Sequence, residues 1–329
     1  MTITRRNLLA AAATFAGAPL SRVAFAQEAS SFPSKPVRII MPYQAGVPFD
    51  VYLRGMAQQM TGDLGQAVVI ENKPGAGANI GTEYVARAIA DGYTLLAYGL
   101  NLAANGSLFK KINYDPVKDF TPVIGLIRNP GMLIVPADSP FKSVADLIAH
   151  AKAKPGSLSY SSGGVGSMAH FCGESLKSAT GIQLLHIPYR GAPDVLNSLF
   201  AGETQLSFPV FPSALAQVKA GKLRGLAVTS PRRMPQLPDV PTMHEALGAR
   251  GFDIEADNGI VAPIGTPRAI VARLYQAFAK VLADPNVSGP IVAAGYQVLG
   301  TKPEEVAQRI AKDISTYRDV VRVSGIQPE

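Results

Sequence analysis

A chain of 329 residues, 47% hydrophobic and 17% charged, can bury a large core and has room for two domains, which excludes a disordered or fibrous protein. The formal charge is +7, yet no basic run and no basic patch interleaved with aromatics occurs, so the excess favours small anions over nucleic acid. A single cysteine, Cys172, excludes an internal disulfide and the paired-cysteine metal and redox motifs, and suits a small buried side chain.

Residues 1–26 read as an export signal. Arg5-Arg6 precedes an apolar stretch over residues 8–18, and Ala24-Phe25-Ala26 has the small-x-small pattern of a signal-peptidase site. The run 4–9 also resembles, loosely, a twin-arginine signal. Cleavage after Ala26 removes Arg5, Arg6 and Arg22 and no acid, which lowers the formal charge from +7 to +4. The apolar stretch is too short to span a bilayer, since a spanning helix needs about 20 apolar residues, and no later run is long enough. The expected location is the periplasm.

In the body of the chain, residues 36–41 (PVRIIM) predict a first strand. A turn over 42–49 follows, and Asp50 opens a helix to Leu64, its carboxylate suited to capping free N–H groups. Residues 67–98 then form the unit around which the rest is organised. An apolar run over 67–70 leads through Glu71-Asn72-Lys73-Pro74 into Gly75-Ala76-Gly77-Ala78. From Asn79 the apolar spacing turns helical, with Ile80, Tyr84, Val85, Ala88 and Ile89 on one stripe, and residues 93–98 read as a second strand. A glycine turn between strand and helix aims free backbone N–H groups and the positive end of the helix dipole at one point, which suits an anion. It is neither a dinucleotide fingerprint, because Ile80 stands where the third glycine belongs, nor a Walker loop, because no Gly-Lys-Ser/Thr follows.

Two apolar runs within 120–135 flank Arg128-Asn129-Pro130-Gly131 and predict a crossing into a second domain. Ser143 and Asp146 predict a capping box for a helix ending near Lys154. The opening motif then recurs as strand 158–160, loop Ser161-Ser162-Gly163-Gly164-Val165-Gly166-Ser167 and a helix from Met168. Gly164, Gly166 and Ala169 fit a dinucleotide spacing, but no ribose-binding acid stands about twenty residues on. Strand 184–187, turn 188–191, helix 194–200, strand 205–208, helix 213–220 and strand 223–229 follow. Thr242 and Glu245 make another capping box, 252–261 predicts a crossing back, and helices are expected from Thr266-Pro267 to Ala283 and from Thr301 to about Val323. Strand–helix alternation implies mostly parallel sheets with ligands beyond the carboxyl ends of the strands. Two such halves with matching glycine loops predict a clamp with the ligand between them.

An exported hydrolase on such a frame would need a nucleophile with a base, or paired carboxylates. The chain has no G-x-S-x-G, H-E-x-x-H or S-x-x-K, and none of its four histidines has metal-ligand spacing. No catalytic residue, metal or cofactor is expected.

The segments KPVRIIMPYQAG, VVIENKPGAGANIGTEYVARAIADGYTLL, LSYSSGGVGSMAH, HIPYRGAPDVLNSLFAGETQLSF, GKLRGLAVTSPRR, LPDVPT and APIGTP resemble the solute-binding proteins of the tripartite tricarboxylate transporter system, the Bug family. The resemblance implies an α/β, two-lobed type II periplasmic-binding-protein fold with two mixed, mostly parallel sheets flanked by helices. The first lobe would comprise 27–129 and 255–329, and the second 130–254. It implies a monomer that closes on a small organic carboxylate and delivers it to the transporter's membrane subunits; presentation of the ligand to a membrane signalling kinase is the alternative. The carboxylate would be held mostly by loop N–H groups, hydroxyls and water. First-lobe contacts would be Tyr43, Gln44, Ala45, Gly46, Phe49 and Asp50, with Gly75, Ala76, Gly77, Ala78 and Asn79. Second-lobe contacts would be Ser162, Gly163, Gly164, Gly166 and Ser167, with His170 and Tyr189 nearby and His186 structural. The family's first loop commonly reads Ala-Gly-Gly, whereas here it is Ala45-Gly46-Val47-Pro48-Phe49. Phe49 is therefore expected to offer the ligand an aromatic face. A position near Asp257-Asn258, commonly aromatic in the family, is polar here.

Overall fold

Strands β1 (Val37–Met41) and β3 (Thr94–Tyr98) carry apolar side chains on both faces, a pattern that a sheet covered on both sides accommodates. The computed structural model describes residues 32–324 and 326–328, so the expected export signal lies outside the described residues. β2 (Val68–Asn72) and β3 flank β1 in parallel. The sheet continues antiparallel through β10 (Glu255–Pro263), β4 (Phe120–Pro130) and β11 (Gln297–Thr301), in the order β11-β4-β10-β3-β1-β2.

Alternation along the strands sorts its two faces. Ile39, Met41, Leu95 and Ala97 pack under α1 (Pro48–Leu64) and α9 (Arg268–Leu282). Ile40, Leu96 and Tyr98 point the other way, toward Val85 of α2 (Asn79–Ala86), Leu102 of α3 (Leu100–Leu108) and Val306 and Ile310 of α11 (Pro303–Ser324). A further helix, α10 (Pro285–Ala293), leads into β11.

The second sheet has the order β7-β6-β8-β5-β9, built from β5 (Met132–Pro136), β6 (Leu158–Ser162), β7 (Leu184–Pro188), β8 (Leu206–Ser207) and β9 (Leu223–Val228). β6 is parallel to β7 and β8, and β5 is antiparallel to β8 and β9. One face packs on α4 (Val144–Ala153) and α5 (Met168–Thr180), the other on α6 (Ala192–Phe200) and α7 (Phe211–Lys219). The capping boxes of Ser143 with Asp146 and of Thr242 with Glu245 both form, the latter opening α8 (Met243–Leu247).

The chain passes between the sheets at Gly131 and again at Ile254, so both crossing strands leave the first sheet side by side. Their registers fix the geometry. Gly259 of β10 pairs with Tyr98, the last residue of β3, and Met132 of β5 pairs with Val228, the last residue of β9. The carboxyl ends of β1, β2 and β3 therefore lie on the crossing side of one sheet, and those of β6, β7 and β8 on the crossing side of the other.

Four expectations change. The stripe of Ile80, Tyr84 and Ile89 is exposed, because α2 turns Gly81, Thr82 and Val85 inward. Gly81 is the reason: a β-carbon there would lie 2.8 Å from the Lys73 carbonyl and 2.9 Å from Pro42 Cβ, so only glycine lets this face approach the strand ends. Thr301 stays in β11 and does not cap α11. Residues 100–108, 285–293 and 297–301 form elements that the sequence pattern did not reveal. Finally, α11 is not confined to the first lobe: Val306 and Ile310 pack on the first sheet, while Tyr317 and Val321 join the core of the second. α3 divides in the same way, with Leu102 on one side and Ala103, Ala104 and Leu108 on the other.

Candidate functional site

Loops from both sheets meet at the crossing side, and each is pinned by side chains behind it. In the first loop, Asp50 is the hub. Its Oδ2 accepts from Gly46 N–H (3.0 Å) and Arg54 Nε (3.0 Å), and its Oδ1 from Arg54 Nη2 (3.1 Å) and Asn72 Nδ2 (3.0 Å). Asn72 Nδ2 also donates to the Tyr43 carbonyl (3.1 Å), and Tyr43 O–H donates to Asn101 Oδ1 at the start of α3 (3.2 Å). Burial pushes the Asp50 carboxyl up, but hydrogen bonds from Arg54, Gly46 and Asn72, with the Arg54 charge, outweigh it and hold the group below its ordinary range. Gln44 and Ala45 are exposed at the tip.

Two expectations for this loop are corrected. Asp50 does not start the helix: Val47 occupies the N-cap position without a side-chain bond, Pro48 leads the first turn, and Asp50 reaches back from within it. Phe49 is 6% exposed and packs among Leu53, Met56 and Met60 in the first core, so its ring offers no face to a ligand in the cleft. The proline places Phe49 in the first helical turn, and that turn rotates the ring inward.

The second loop is strained. Gly75 has φ +126°, and Ala76, Gly77 and Ala78 follow at +46°, +61° and +77°. A left-handed conformation at a non-glycine residue costs roughly 1–2 kcal/mol, so Ala76 and Ala78 are held there by their surroundings. Asn105 of α3 does much of the holding, with Nδ2 donating to the Gly77 carbonyl (2.8 Å) and to Asn79 Oδ1 (2.7 Å), while Tyr114 O–H donates to the same Asn79 oxygen (2.7 Å). Asn79 thus turns its side chain toward α3. The N–H groups of Gly75, Ala76 and Gly77 have no acceptor among the described residues.

Across the gap, Ser162 is fully buried. Its Oγ lies 2.6 Å from His186 Nε2 and accepts the Gly164 N–H (3.1 Å). Ser167 caps α5, accepting from His170 N–H and donating to the Gly164 carbonyl (2.8 Å). His170 is 4% exposed and its Nδ1 accepts the Gly166 N–H (3.1 Å), so its ring braces the loop from behind. Tyr189 donates its N–H to the Ser162 carbonyl (2.8 Å) and its hydroxyl to Glu203 (2.9 Å). The N–H groups of Gly46, Gly164 and Gly166, expected to face a ligand, are therefore engaged internally, whereas those of Gly163, Val165, Met168 and Ala169 have no acceptor among the described residues.

The sequence reading missed Asn72, Asn101, Asn105 and Tyr114. Asn105 was the discoverable one, an amide in an otherwise apolar run, but residues 100–108 had not been recognised as a helix. The nearby guanidiniums are already committed, Arg54 to Asp50 and Arg128 to Asp257. A separate surface groove of about 1040 Å³ is lined by Lys35, Arg38, Lys73, Tyr84 and Arg87, whose cations are paired with Asp91, Glu71 and Glu83. No helix among the described residues is long and apolar enough to cross a membrane, and no group of three or more metal-ligating residues occurs among them.

This arrangement has known counterparts. BugT of Bordetella pertussis is 33% identical over 299 residues, covering 90% of this chain and 91% of BugT. The R. palustris protein solved with adipate superposes with a TM-score of 0.79 at 33% identity, covering 91% of this chain and 100% of that one. MatC from Rhodopseudomonas palustris, solved with bound malate, gives 0.76 at 31%, covering 88% and 100%. The family model of the tripartite tricarboxylate transporter family receptor matches residues 52–326. With two lobes, two mixed sheets and facing loops of unengaged N–H groups, the chain belongs to the tripartite tricarboxylate transporter receptor family, a family of solute-binding receptors and not of enzymes.

Proposed function

We propose that this protein is a periplasmic receptor that captures a small organic carboxylate between its lobes and delivers it to the membrane subunits of a tripartite transporter. The observation that carries the reading is the pair of facing loops. Gly75–Gly77 on one side and Gly163, Val165, Met168 and Ala169 on the other offer N–H groups without internal acceptors, and no unpaired arginine stands between them. A carboxylate accepts several such bonds at once, and the amino end of α5 adds the favourable end of a helix dipole. The strain at Ala76 and Ala78 fits a loop preset for a ligand. The adipate and malate in the two R. palustris relatives set the ligand class to test first.

With Phe49 in the core, selection among carboxylates falls to the loops themselves and not to an aromatic face. The site comprises Tyr43 to Val47, Gly75 to Asn79 and Ser162 to Ser167, with Tyr189 at the rim. The experiment is a thermal-shift and calorimetry panel of malate, adipate, succinate and benzoate on the purified chain, with native mass spectrometry for ligand retained through purification. At least one carboxylate should raise the melting temperature and titrate to one site per chain. A flat panel together with a retained ligand that lacks a carboxylate would overturn the reading.

A further inference from the structure

Behind the second-lobe loop two imidazoles stack almost face to face, with the rings of His170 and His186 at 4.1 Å and 9° between planes. The Tyr160 ring lies on the far side of His186 at 4.8 Å. His170 Nδ1 accepts from Gly166 N–H, so that nitrogen carries no proton and the ring is neutral. Ser162 Oγ already accepts the Gly164 N–H, and the Gly164 carbonyl receives Ser167, so the arrangement that satisfies each group has Ser162 donating its hydroxyl proton to His186 Nε2. His186 is then neutral as well. The two rings hold both ends of the loop, Ser162 and Gly166.

Gly166 is also a contact between the lobes. It sits at φ +78°, and a β-carbon there would overlap Leu108 Cδ1 of α3. The backbone that His170 fixes is the surface on which Leu108 rests.

We propose that His170 and His186 are positioning residues of the second-lobe loop: as a neutral stacked pair they set its N–H groups and the Leu108 contact, and proton uptake releases the bound carboxylate by breaking both. The proposal rests on the carboxylate reading above. A proton on His170 Nδ1 replaces the acceptor of Gly166 by a second donor, and a second proton places two cations at stacking distance in a buried site. The groups facing the pair are Tyr160 and Ser162 from β6 and Cys172, Glu174 and Lys177 from α5. Glu174 is no free counter-ion, because it accepts from Tyr160 O–H (2.7 Å) and from Lys177 Nζ (2.8 Å). Burial, and for His186 also its partner ring, lowers both imidazoles, His186 to about 4. The neutral pair therefore persists above the usual histidine range and is lost only as pH falls below it, through the lowered values.

The test has two arms. In the first, the ligand-free protein labelled with ¹⁵N-glycine and ¹³C-histidine is titrated from pH 7.5 to 4.5 by NMR. The Gly166 amide should move with the His170 ring while Gly75 and Gly77 stay fixed. A Gly166 amide that is flat through the His170 titration, or that moves equally in His170→Asn, overturns the proposal.

The second arm measures adipate and malate affinity by calorimetry at pH 7.5 and 5.0 in the wild type and in His170→Asn/His186→Gln. These amides keep an acceptor at the Nδ1 and Nε2 positions but do not titrate. Protonation of the probe itself weakens both proteins alike, so the wild type should lose at least tenfold more affinity than the variant on acidification. Equal losses overturn the proposal. Absence of binding by either probe at pH 7.5 would count against the ligand class alone, and the co-titration of ring and amide then decides. It also decides if the double variant does not fold.

Discussion

Glu255 stands at the second crossing between the lobes, and replacing it by glutamine should stabilise the protein at alkaline pH. The side chain is 2% exposed; its Oε2 lies 3.6 Å from Arg128 Nε, beyond hydrogen-bond reach, and its Oε1 has no partner. Its neighbours are already satisfied by one another. Arg128 makes a two-pronged bond to Asp257 (2.6 and 2.7 Å), and Arg309 of α11 bonds Asp313 (2.8 Å) and the Glu255 carbonyl (2.8 Å). Three carboxylates thus share two guanidiniums in a buried cluster across the hinge strands. Burial, opposed by Arg128 and Arg309, pushes the Glu255 carboxyl from 4.5 up to about 7.

A carboxyl raised in the folded state binds its proton more tightly there than in the unfolded chain. Stability from this group is therefore unimpaired below the unfolded value of 4.5 and falls as pH rises toward 7. At roughly 1.4 kcal/mol per pH unit, the full cost above pH 7 is about 3 kcal/mol. Glutamine keeps the shape and removes the charge, but leaves an unpartnered polar atom in place. The net gain at pH 8 should then be about 1–3 kcal/mol, shrinking toward zero at pH 5. Urea or thermal melts of wild type and Glu255→Gln at the two pH values provide the assay. A difference in stability that is the same at pH 5 and pH 8, or a loss of several kcal/mol at pH 8, would refute the reasoning.

Two more outcomes follow from the first lobe. Phe49→Ala removes a core ring and should cost about 3–5 kcal/mol in urea melts while leaving the rank order of carboxylates in a binding panel unchanged; a reordered panel would return the ring to the cleft. Asp50→Asn removes the charge that holds Gly46, Asn72 and the half-exposed Arg54, and should lower stability at pH 7 by about 1–3 kcal/mol. Because the Asp50 carboxyl lies below its ordinary 3.8 in the folded state, that deficit should fade only as pH drops under 3.8 and through the lowered value; a deficit independent of pH would assign it to packing.

The sequence by itself determined the alternation of strands and helices, the two crossings, the two glycine loops and the capped starts of α4 and α8. These rest on local chemistry: apolar periodicity of two or near 3.6, glycine where φ must be positive, and a hydroxyl or carboxylate within three residues of an N-terminus. It also carried the family resemblance, because the glycine-loop motifs are contiguous. What tertiary structure alone decided is which groups face the cleft. Phe49 and Val47 are two residues apart, yet the turn set by Pro48 sends the phenyl ring into the core. Gly46, Gly164 and Gly166 look like free donors until Asp50, Ser162 and His170 are seen to accept from them. Asn105 lies 28 residues from the Gly77 carbonyl it holds, and Asp257 lies 129 residues from Arg128. No local pattern encodes such pairings; they exist because two sheets bring distant strand ends to one side, and α3 and α11 then pack across both.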